Sequence, residues 1–315
     1  MNGAIDLGIV GLGVIARVQQ AVLSGMPALY RLTDACDTDP AKGAFCRAER
    51  FYADLNEFLR KGRAEAVLIS TPPQSHPVVA EACLRAGKHV LLEKPAALHP
   101  GEAERMYRTA RENGVLLRTA YHAAHGVETA WFLSNRKMLA REYGIGEISA
   151  VRCEFYDPYS AGGRLLRDRA PLGGCWIDSG INALSVCARL LDLSAFEPAE
   201  REETADRETG VLFRSRRKFC SAAASVEICT AWDTGQDHKA TEISFHGSGA
   251  RLLLQHSLQR VELTAGGRPE ILFDGSGEER LTRQYAAVFA DYAAAFAARR
   301  SDERETLLLQ RLLLS

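Results

Sequence analysis

The chain has 315 residues, of which 46% are hydrophobic and 25% charged, and its formal net charge is −1. These values are typical of a globular protein with two domains, and they argue against a protein that binds nucleic acid or an anionic membrane surface. No apolar run reaches the ~20 residues of a membrane span, no signal peptide is expected, and eight cysteines without a C-x-x-C pair indicate reduced thiols in a cytoplasmic protein.

Residues 5–121 alternate short β-rich runs with helical stretches. The predicted strands are "IDLGIVG", "YRLTDACD", "FYAD" (a short edge strand), "AEAVLIST", "KHVLLEK" and "VLLRTAY". The run "AEAVLIST" is almost wholly apolar, as expected for a strand that is buried on both faces of a parallel sheet. Six strands joined by helices predict a doubly wound parallel α/β (Rossmann) sheet, which we assign to a domain over residues 1–123.

Residues 124–315 show a different pattern, which is typical of an α+β domain. An amphipathic helix, "VETAWFLSNRKMLARE", precedes the half-exposed strand "IGEISAVRCEFYD", and a helix is expected within residues 173–186. The later predicted strands are "ASVEICTAW", "ATEISFHG", "ARLLLQ", "RVELTA" and "EILFD". Consecutive strands without intervening helices predict a mainly antiparallel open sheet. The polar stretch "EPAEREETADRE" is predicted to be a solvated loop.

The stretch "GLGVIA" directly follows the first strand and opens the first helix, which is the context that a dinucleotide-binding loop requires. Gly11 allows a tight turn, Gly13 lets the backbone approach a pyrophosphate, and Ala16 permits close helix packing. The first helix would offer its free N–H groups to the phosphates. The cofactor-binding residues predicted in this loop are Gly11, Gly13, Val14 and Ile15.

Asp37 ends the second strand. Its distance in sequence from the glycine loop is close to the ~20 residues expected for the carboxylate that binds the ribose hydroxyls. An acid repels a 2′-phosphate, and neither Arg nor Lys comes directly after Asp37, so the sequence favours NAD, with NADP as the other possibility. A role for Asp37 as the cap of the following turn is equally compatible with the sequence.

The segment "VLISTPPQSHPVVAEACLRAGKHVLLEKP" (residues 67–95) resembles the core of the Gfo/Idh/MocA family of sugar and polyol oxidoreductases. The resemblance spans nearly the whole chain. It is most specific at "STPP…H", at "AGKHVLLEKP", and at "GGCWIDSGINALSV" (residues 173–186), which occupies the family's G-G-G-x-x-x-D-x-G-x-H segment. It implies a nicotinamide-dependent oxidoreductase.

The first two of these segments end the fourth and fifth strands, at the edge where a doubly wound sheet holds its ligand. The resemblance implies that Thr71, Pro72 and Pro73 form a wall beside the cofactor and that His76 lies near the nicotinamide ribose. A histidine that merely starts a helix fits equally well. Glu93 and Lys94 end the fifth strand, and the Lys94 cation could stabilise an alkoxide as hydride leaves. Lys94 as an ordinary surface lysine is the weaker alternative.

Asp178 and Asn182 are four residues apart, so an α-helix would place both side chains on one face. Asp178 alone is typical of a helix cap. The resemblance implies that it is catalytic as well as capping. Asn182 departs from the family, because most members have His at this position. An amide can accept a hydrogen bond, but it cannot take up a proton at working pH as an imidazole base does. That loss is tolerable when the substrate hydroxyl is acidic, as an anomeric hydroxyl is.

The stretch "DSGINALS" further resembles a subgroup, the L-arabinose and D-galactose 1-dehydrogenases. The resemblance implies that His122 would face the sugar and that Trp232 could stack on a pyranose face. A domain-junction histidine and a sheet-packing tryptophan are nearly equal alternatives. The subgroup tends to place a tryptophan in the loop where this chain has Tyr156 and Tyr159. We expect no metal site, because no Cys or acid near His122 and His125 completes a set of metal ligands.

These observations predict an NAD(P)-dependent dehydrogenase that oxidises the anomeric C1 hydroxyl of an aldose to a lactone, with Lys94, Asp178 and Asn182 in the catalytic set. One alternative is a family dehydrogenase that acts on another sugar, a polyol or an inositol at a secondary carbon. Another is a catalytically silent NAD-binding sensor. The resemblance also implies a homodimer or homotetramer formed through the C-terminal sheet. The identity and stereochemistry of the sugar do not follow from the sequence.

Overall fold

A computed structural model of the chain describes residues 3–161 and 164–315. The chain divides into two compact units. The first unit contains the chain up to Tyr121 together with Tyr285–Gln310, and the second unit contains His122–Gln284 together with Arg311–Leu313.

The first unit is built on a six-stranded parallel sheet, as the sequence predicts. Its strands are β1 (Ile5–Val10), β2 (Tyr30–Cys36), β3 (Arg50–Tyr52), β4 (Ala66–Ile69), β5 (His89–Glu93) and β6 (Leu117–Ala120). Their order is β3-β2-β1-β4-β5-β6, with the short β3 at one edge. This order reverses between β1 and β4, and a doubly wound sheet holds its ligand beyond the carboxyl ends of the strands at that point.

Four helices connect the strands of the first unit: α1 (Val14–Ser24), α2 (Leu55–Lys61), α3 (His76–Arg85) and α4 (Glu102–Glu112). A 3₁₀ turn over Pro40–Phe45 follows β2. Every residue of β4 and β5 is buried, because helices cover both faces of the sheet, and this confirms the expectation for the apolar "AEAVLIST" run.

The second unit is built on an eight-stranded sheet. Its helices are α5 (Val127–Tyr143) and α6 (Ile181–Leu190), and a two-stranded ribbon is formed by β8 (Ser160–Ala161) and β9 (Arg164–Leu165). The strands of the large sheet are β7 (Ile148–Tyr156), β10 (Glu197–Ala205), β11 (Leu212–Cys220), β12 (Ser225–Ala231), β13 (His238–Phe245), β14 (Arg251–Gln255), β15 (Arg260–Ala265) and β16 (Arg268–Asp274). The order is β10-β11-β12-β7-β13-β14-β15-β16, and all pairs are antiparallel except β12 with β7. The mainly antiparallel open sheet expected for this half is confirmed. Helices α7 (Arg280–Ala298) and α8 (Glu303–Leu314) complete the chain.

The prediction of a solvated loop over "EPAEREETADRE" is wrong, because most of that stretch forms β10. This strand lies at the edge of the sheet and pairs with β11, which the sequence analysis also missed. The β10–β11 pair is held by backbone hydrogen bonds and by cross-strand ion pairs such as Lys218 with Glu200 at 3.0 Å and Arg217 with Glu203 at 2.6 Å. An edge strand exposes most of its side chains, so it shows little of the apolar alternation from which strands are predicted.

All eight cysteines are free thiols, and five of them are buried. Burial raises the pKa of Cys83 to about 12, so this thiol behaves as an apolar side chain rather than as a nucleophile. Across residues 3–161 and 164–315, no helix is both long and apolar enough to span a membrane.

Candidate functional site

The loop between β1 and α1 has the backbone geometry that the motif predicts. Gly11 has a φ of +90°, and a Cβ at this position would lie 2.7 Å from the backbone of Ser70 and Thr71. A Cβ at Gly13 would meet open space, and Val14 beside it is 80% exposed. Within the described residues no side chain caps the start of α1, so its first N–H groups have no side-chain partner there. Such a loop can accommodate a pyrophosphate, which would bind to these groups.

Asp37 lies directly beside this loop. One oxygen of its carboxylate accepts from the N–H of Leu12 at 2.7 Å and from Lys42 at 3.1 Å, and the other accepts from the N–H of Asp39 at 2.9 Å. Burial alone would raise the pKa of Asp37. The N–H groups of Asp39 and Leu12 and the charge of Lys42 lower the pKa by more than burial raises it, so the net pKa is below the usual value. Asp37 is therefore a carboxylate at neutral pH. The ion pair with Lys42 was not predicted from the sequence. Lys42 does not follow Asp37 directly, and the 3₁₀ turn places it beside the carboxylate.

The wall after β4 contains the predicted Thr71, Pro72 and Pro73. Pro73 is buried and Pro72 is exposed, and the buried hydroxyl of Thr71 has no hydrogen-bond partner in the described part of the chain. A hydrogen-bonding group placed against this hydroxyl would satisfy it. His76 starts α3 and is 0% exposed, and its ring nitrogens face the carbonyl oxygens of Thr71 and Pro95. Both ring nitrogens are thus directed to the backbone, and the position of His76 near the nicotinamide ribose stays a prediction.

Glu93 lies at the end of β5 and is buried in a network of hydrogen bonds. Its Oε1 accepts from Gln19 of α1 at 2.6 Å and from the hydroxyl of Tyr285 at 2.7 Å. Gln19 accepts in turn from the hydroxyl of Ser70 at 2.6 Å. The other oxygen of Glu93 accepts from the backbone N–H of Lys94 at 3.2 Å. Glu93 thus fixes the backbone of Lys94 and links it to α1 and to the end of β4. Gln19 and Tyr285 were missed, because nothing in their local sequence marks them.

The predicted cofactor residues of the first unit are therefore collected at one edge. Gly11, Asp37, Thr71 and Lys94 follow β1, β2, β4 and β5, which are neighbours in the sheet. This edge has the glycine loop, the carboxylate and the lysine that a nicotinamide dinucleotide and its reaction centre need. The residues present fit that cofactor.

In the second unit, Asp178 lies in a π-helical turn, Trp176–Gly180, which leads into α6. Its N–H donates to the carbonyl of Gly174 at 3.0 Å, and no side chain within the described residues caps α6. The expectation that Asp178 also acts as a helix cap is wrong, because the π-helical turn places this residue inside the helical segment. The side chain of Asp178 is partly exposed.

Asn182 lies in the first turn of α6, close to Asp178. Its Nδ2 donates to the carbonyl of Asp178 at 3.2 Å. Its Oδ1 is buried and finds no hydrogen-bond partner among residues 3–161 and 164–315. A buried acceptor without a partner costs free energy, which a hydroxyl of a bound ligand would recover.

Two other predicted substrate residues of the second unit are buried. His122 lies in a 3₁₀ turn (His122–His125) that packs against α6, and its Nδ1 lies 3.0 Å from Oε1 of Gln284. Trp232 is 0% exposed, and its indole N–H donates to the hydroxyl of Ser179 at 3.2 Å. The expected stacking of Trp232 on a pyranose does not agree with this burial, because neither ring face is accessible.

Tyr159 is the partly exposed aromatic residue beside Trp232. The two ring centroids are 5.2 Å apart with an edge-to-face geometry, and the guanidinium of Arg169 lies 4.8 Å from the centroid of Tyr159. Burial raises the pKa of Tyr159, and the negative charges of Asp178 and Asp157 raise it further. The ring of Tyr159 is therefore within the electric field of Asp178, which the loop sequence alone could not establish.

Ser179, next to Asp178, belongs to a buried polar chain. Its hydroxyl donates to Asp157 at 2.7 Å, and Asp157 pairs with the buried Lys239 at 2.8 Å. These hydrogen bonds and the ion pair hold the π-helical turn in place. In the part of the chain that the structure describes, no group of three or more His, Cys, Asp or Glu side chains is arranged to hold a metal ion.

Comparisons with known proteins agree with this architecture. Residues 5–121 match the model of a family described as an oxidoreductase family with an NAD-binding Rossmann fold. The chain is 34% identical over 98 residues to inositol 2-dehydrogenase 1 of Saccharopolyspora erythraea, which covers 30% of this chain and 29% of that protein. It is 29% identical over 208 residues to galactose 1-dehydrogenase of Pseudomonas fluorescens, which covers 62% of this chain and 60% of that protein. Each match spans less than two thirds of the relative's length.

A solved structure with the same fold is that of a 3-ketoreductase from Actinomadura kijaniata in complex with NADP and TDP-benzene. It matches with a TM-score of 0.82 and 20% identity, and the match covers 98% of this chain and 96% of that chain. At this identity the likeness shows the fold.

Proposed function

We propose that this chain, whose residues 5–121 match an oxidoreductase family with an NAD-binding Rossmann fold, is a Gfo/Idh/MocA oxidoreductase that oxidises the anomeric C1 hydroxyl of an aldose of the galactose or arabinose type to a lactone. The observation that carries this proposal is the Asp178–Asn182 pair. Asn182 stands where most family members have His, and its Oδ1 is a buried acceptor that lacks a partner in the described residues. An amide can orient a substrate hydroxyl but cannot take its proton. Of the sugar hydroxyls, the anomeric one is the most acidic and least needs an imidazole base.

Each catalytic residue has a distinct role in this proposal. Asp178 accepts the proton of the C1 hydroxyl as the C1–H bond breaks. The Lys94 ammonium stabilises the negative charge that develops on that oxygen. Asn182 orients the sugar. NAD, when bound, supplies the hydride acceptor, and the products are a lactone, NADH and one proton.

NAD is the proposed cofactor. The Asp37 carboxylate suits the two ribose hydroxyls and repels a 2′-phosphate, whereas Lys42 partly neutralises that repulsion. The pair therefore supports a preference for NAD with residual use of NADP. The partly exposed Tyr159 is the aromatic ring that we propose for contact with the sugar, in place of Trp232.

The experiment that tests the function is the formation of NADH on a panel of aldoses, polyols and inositols. We expect turnover with aldoses whose C1 is free and none with 1-O-methyl glycosides, which lack the anomeric hydroxyl. Turnover of inositols but not of aldoses would instead favour oxidation at a secondary carbon. NADH binding without turnover of any substrate would favour the silent sensor.

A homodimer or homotetramer formed through the second unit's sheet is also part of the proposal. One face of this sheet carries opposite charges in alternation, such as Arg152 paired with Glu227 and Arg216 paired with Glu227 at 2.5 Å. Such a face can meet a second copy of itself across a two-fold axis with charges complementary. A monomer in light scattering at micromolar concentration would contradict this assembly.

A further inference from the structure

His76 makes two backbone contacts that a neutral histidine cannot both satisfy. Its Nδ1 lies 2.8 Å from the carbonyl oxygen of Pro95, and its Nε2 lies 2.9 Å from the carbonyl oxygen of Thr71. Carbonyl oxygens only accept hydrogen bonds. A neutral imidazole carries one N–H, so it can donate to one of the two, whereas the imidazolium form donates to both.

The two carbonyls belong to the two loops that matter most in the first unit. Thr71 is part of the wall after β4, and Pro95 follows Lys94 in the loop after β5. The fully buried ring lies between these loops and touches the backbone of each. The ring thus connects the two loops at the carboxyl edge of the sheet. A shift of one loop relative to the other would move Lys94 relative to the cofactor wall.

Opposing influences set the charge of this ring. Burial lowers the pKa of His76 below 6.5, the hydrogen bonds to Pro95 and Thr71 raise it, and the positive charge of Lys94 lowers it. The start of α3 adds a positive dipole end, which also disfavours the cation. Lys94 is the charged side chain that acts on the ring from the loop after β5. The imidazolium form is therefore populated at a lower pH than in an ordinary histidine.

We propose that His76 is a positioning residue that braces the cofactor wall against the loop of Lys94, holding both loops when the ring is imidazolium and one loop when it is neutral. The effect on turnover rests on the proposed function of Lys94. The brace itself does not depend on the sugar, and it is measured through cofactor binding and through the ring.

The first test compares His76→Gln with Val78→Ala. The Gln amide nitrogen can reach one carbonyl but not both, and Val78 is a control on the same helix because it is 73% exposed. We expect His76→Gln to weaken NADH binding in a fluorescence titration and to lower kcat by about 10²-fold, with a smaller change in the KM for the sugar, because a small misplacement of a catalytic group has effects of this size. Val78→Ala should match the wild type. Unchanged NADH affinity and kcat in a folded His76→Gln would overturn the proposal.

The second test uses the wild-type chain with ¹⁵N-labelled histidine, and His76→Gln serves to assign the resonance. As the pH is lowered below 6.5, we expect the ring to pass from one protonated nitrogen to two, at a lower pH than an ordinary histidine. NADH affinity of the wild type should increase over the same interval, whereas that of His76→Gln should not. A ring that stays neutral, or an identical pH profile in both proteins, would overturn the imidazolium brace. If no aldose is oxidised while these results hold, the proposed function fails and the brace stands.

Discussion

The ammonium of Lys42 lies 3.1 Å from the carboxylate of Asp37, although five positions separate the two residues. The 3₁₀ turn Pro40–Phe45, whose N-cap is Asp39, brings them together. Lys42 is partly exposed and Asp37 is nearly buried, so the cation covers the carboxylate from the solvent side.

The first prediction concerns the choice between NAD and NADP. Asp37→Ala should weaken NADH binding by about 10-fold or more, because it removes hydrogen bonds between the ribose and a charged acceptor. Lys42→Met should weaken NADPH binding more than NADH binding, because it removes the cation nearest to a 2′-phosphate. Fluorescence titrations with both dinucleotides measure these effects. Tighter binding of NADPH than NADH by the wild type would contradict the role given to Asp37.

The second prediction concerns Asp178. Since this residue does not cap α6, Asp178→Asn should leave the melting temperature and NADH affinity nearly unchanged while turnover falls by ~10²-fold or more. Asp54 is the matched control, because it caps α2 by accepting from the N–H of Glu57 at 2.8 Å. Asp54→Ala should lower the free energy of unfolding by about 1 kcal/mol and leave turnover intact. Near-normal turnover of Asp178→Asn would remove the proposed base.

The third prediction separates the two aromatic residues near Asp178. Tyr159→Ala should raise the KM for the sugar with little change in stability, because the ring is partly exposed. Trp232→Phe should lower the free energy of unfolding by about 1–3 kcal/mol, because it removes buried volume and the hydrogen bond to Ser179. Steady-state kinetics and chemical denaturation of both variants check this. A higher sugar KM in Trp232→Phe alone would restore the stacking role of Trp232.

The fourth prediction concerns stability in acid. His89 is the first residue of β5, and its Nδ1 accepts from the N–H of Leu116 at 2.8 Å, with Arg299 at 2.9 Å from Nε2. Burial and the charge of Arg299 lower the pKa of His89 from 6.5 to about 4. The unfolded chain therefore binds more protons between these values, and the free energy of unfolding should fall as the pH is lowered through this range.

The measurement for His89 is the melting temperature as a function of pH. We expect a smaller decrease between pH 6.5 and about pH 4 in His89→Asn, because the Asn oxygen can still accept from Leu116 but does not titrate. Equal slopes in the variant and the wild type would show that other groups account for the acid sensitivity.

Much of the first unit could be predicted, because its signals are local. The buried β4 and β5 are nearly continuous apolar runs, and the glycine loop follows its strand directly. Parallel strands also fix which residues share an edge, so Asp37 and Lys94 could be assigned to the cofactor side from the sequence alone. This part of the fold can be recognised from local sequence, with little knowledge of contacts between residues that are distant in the chain.

The remaining features depend on tertiary contacts that local sequence does not report. The edge strand β10 is polar, since its partners are β11 and solvent. A π-helical turn, which periodicity cannot reveal, moved Asp178 inside the helical segment. The burial of Trp232 follows from packing against Ser179 and Tyr159, and Tyr285 reaches Glu93 from far along the chain.

The long-range contacts of the first unit have a consequence for the order in which the chain folds during synthesis. Asp302 accepts from the hydroxyl of Tyr107 at 2.6 Å and from the N–H of Thr119 at 2.8 Å, and Leu307 packs against the core of that unit. A ribosome must therefore make the whole intervening unit before the N-terminal unit can acquire these partners. The first six strands would therefore remain without these contacts until the C-terminal residues have been synthesised.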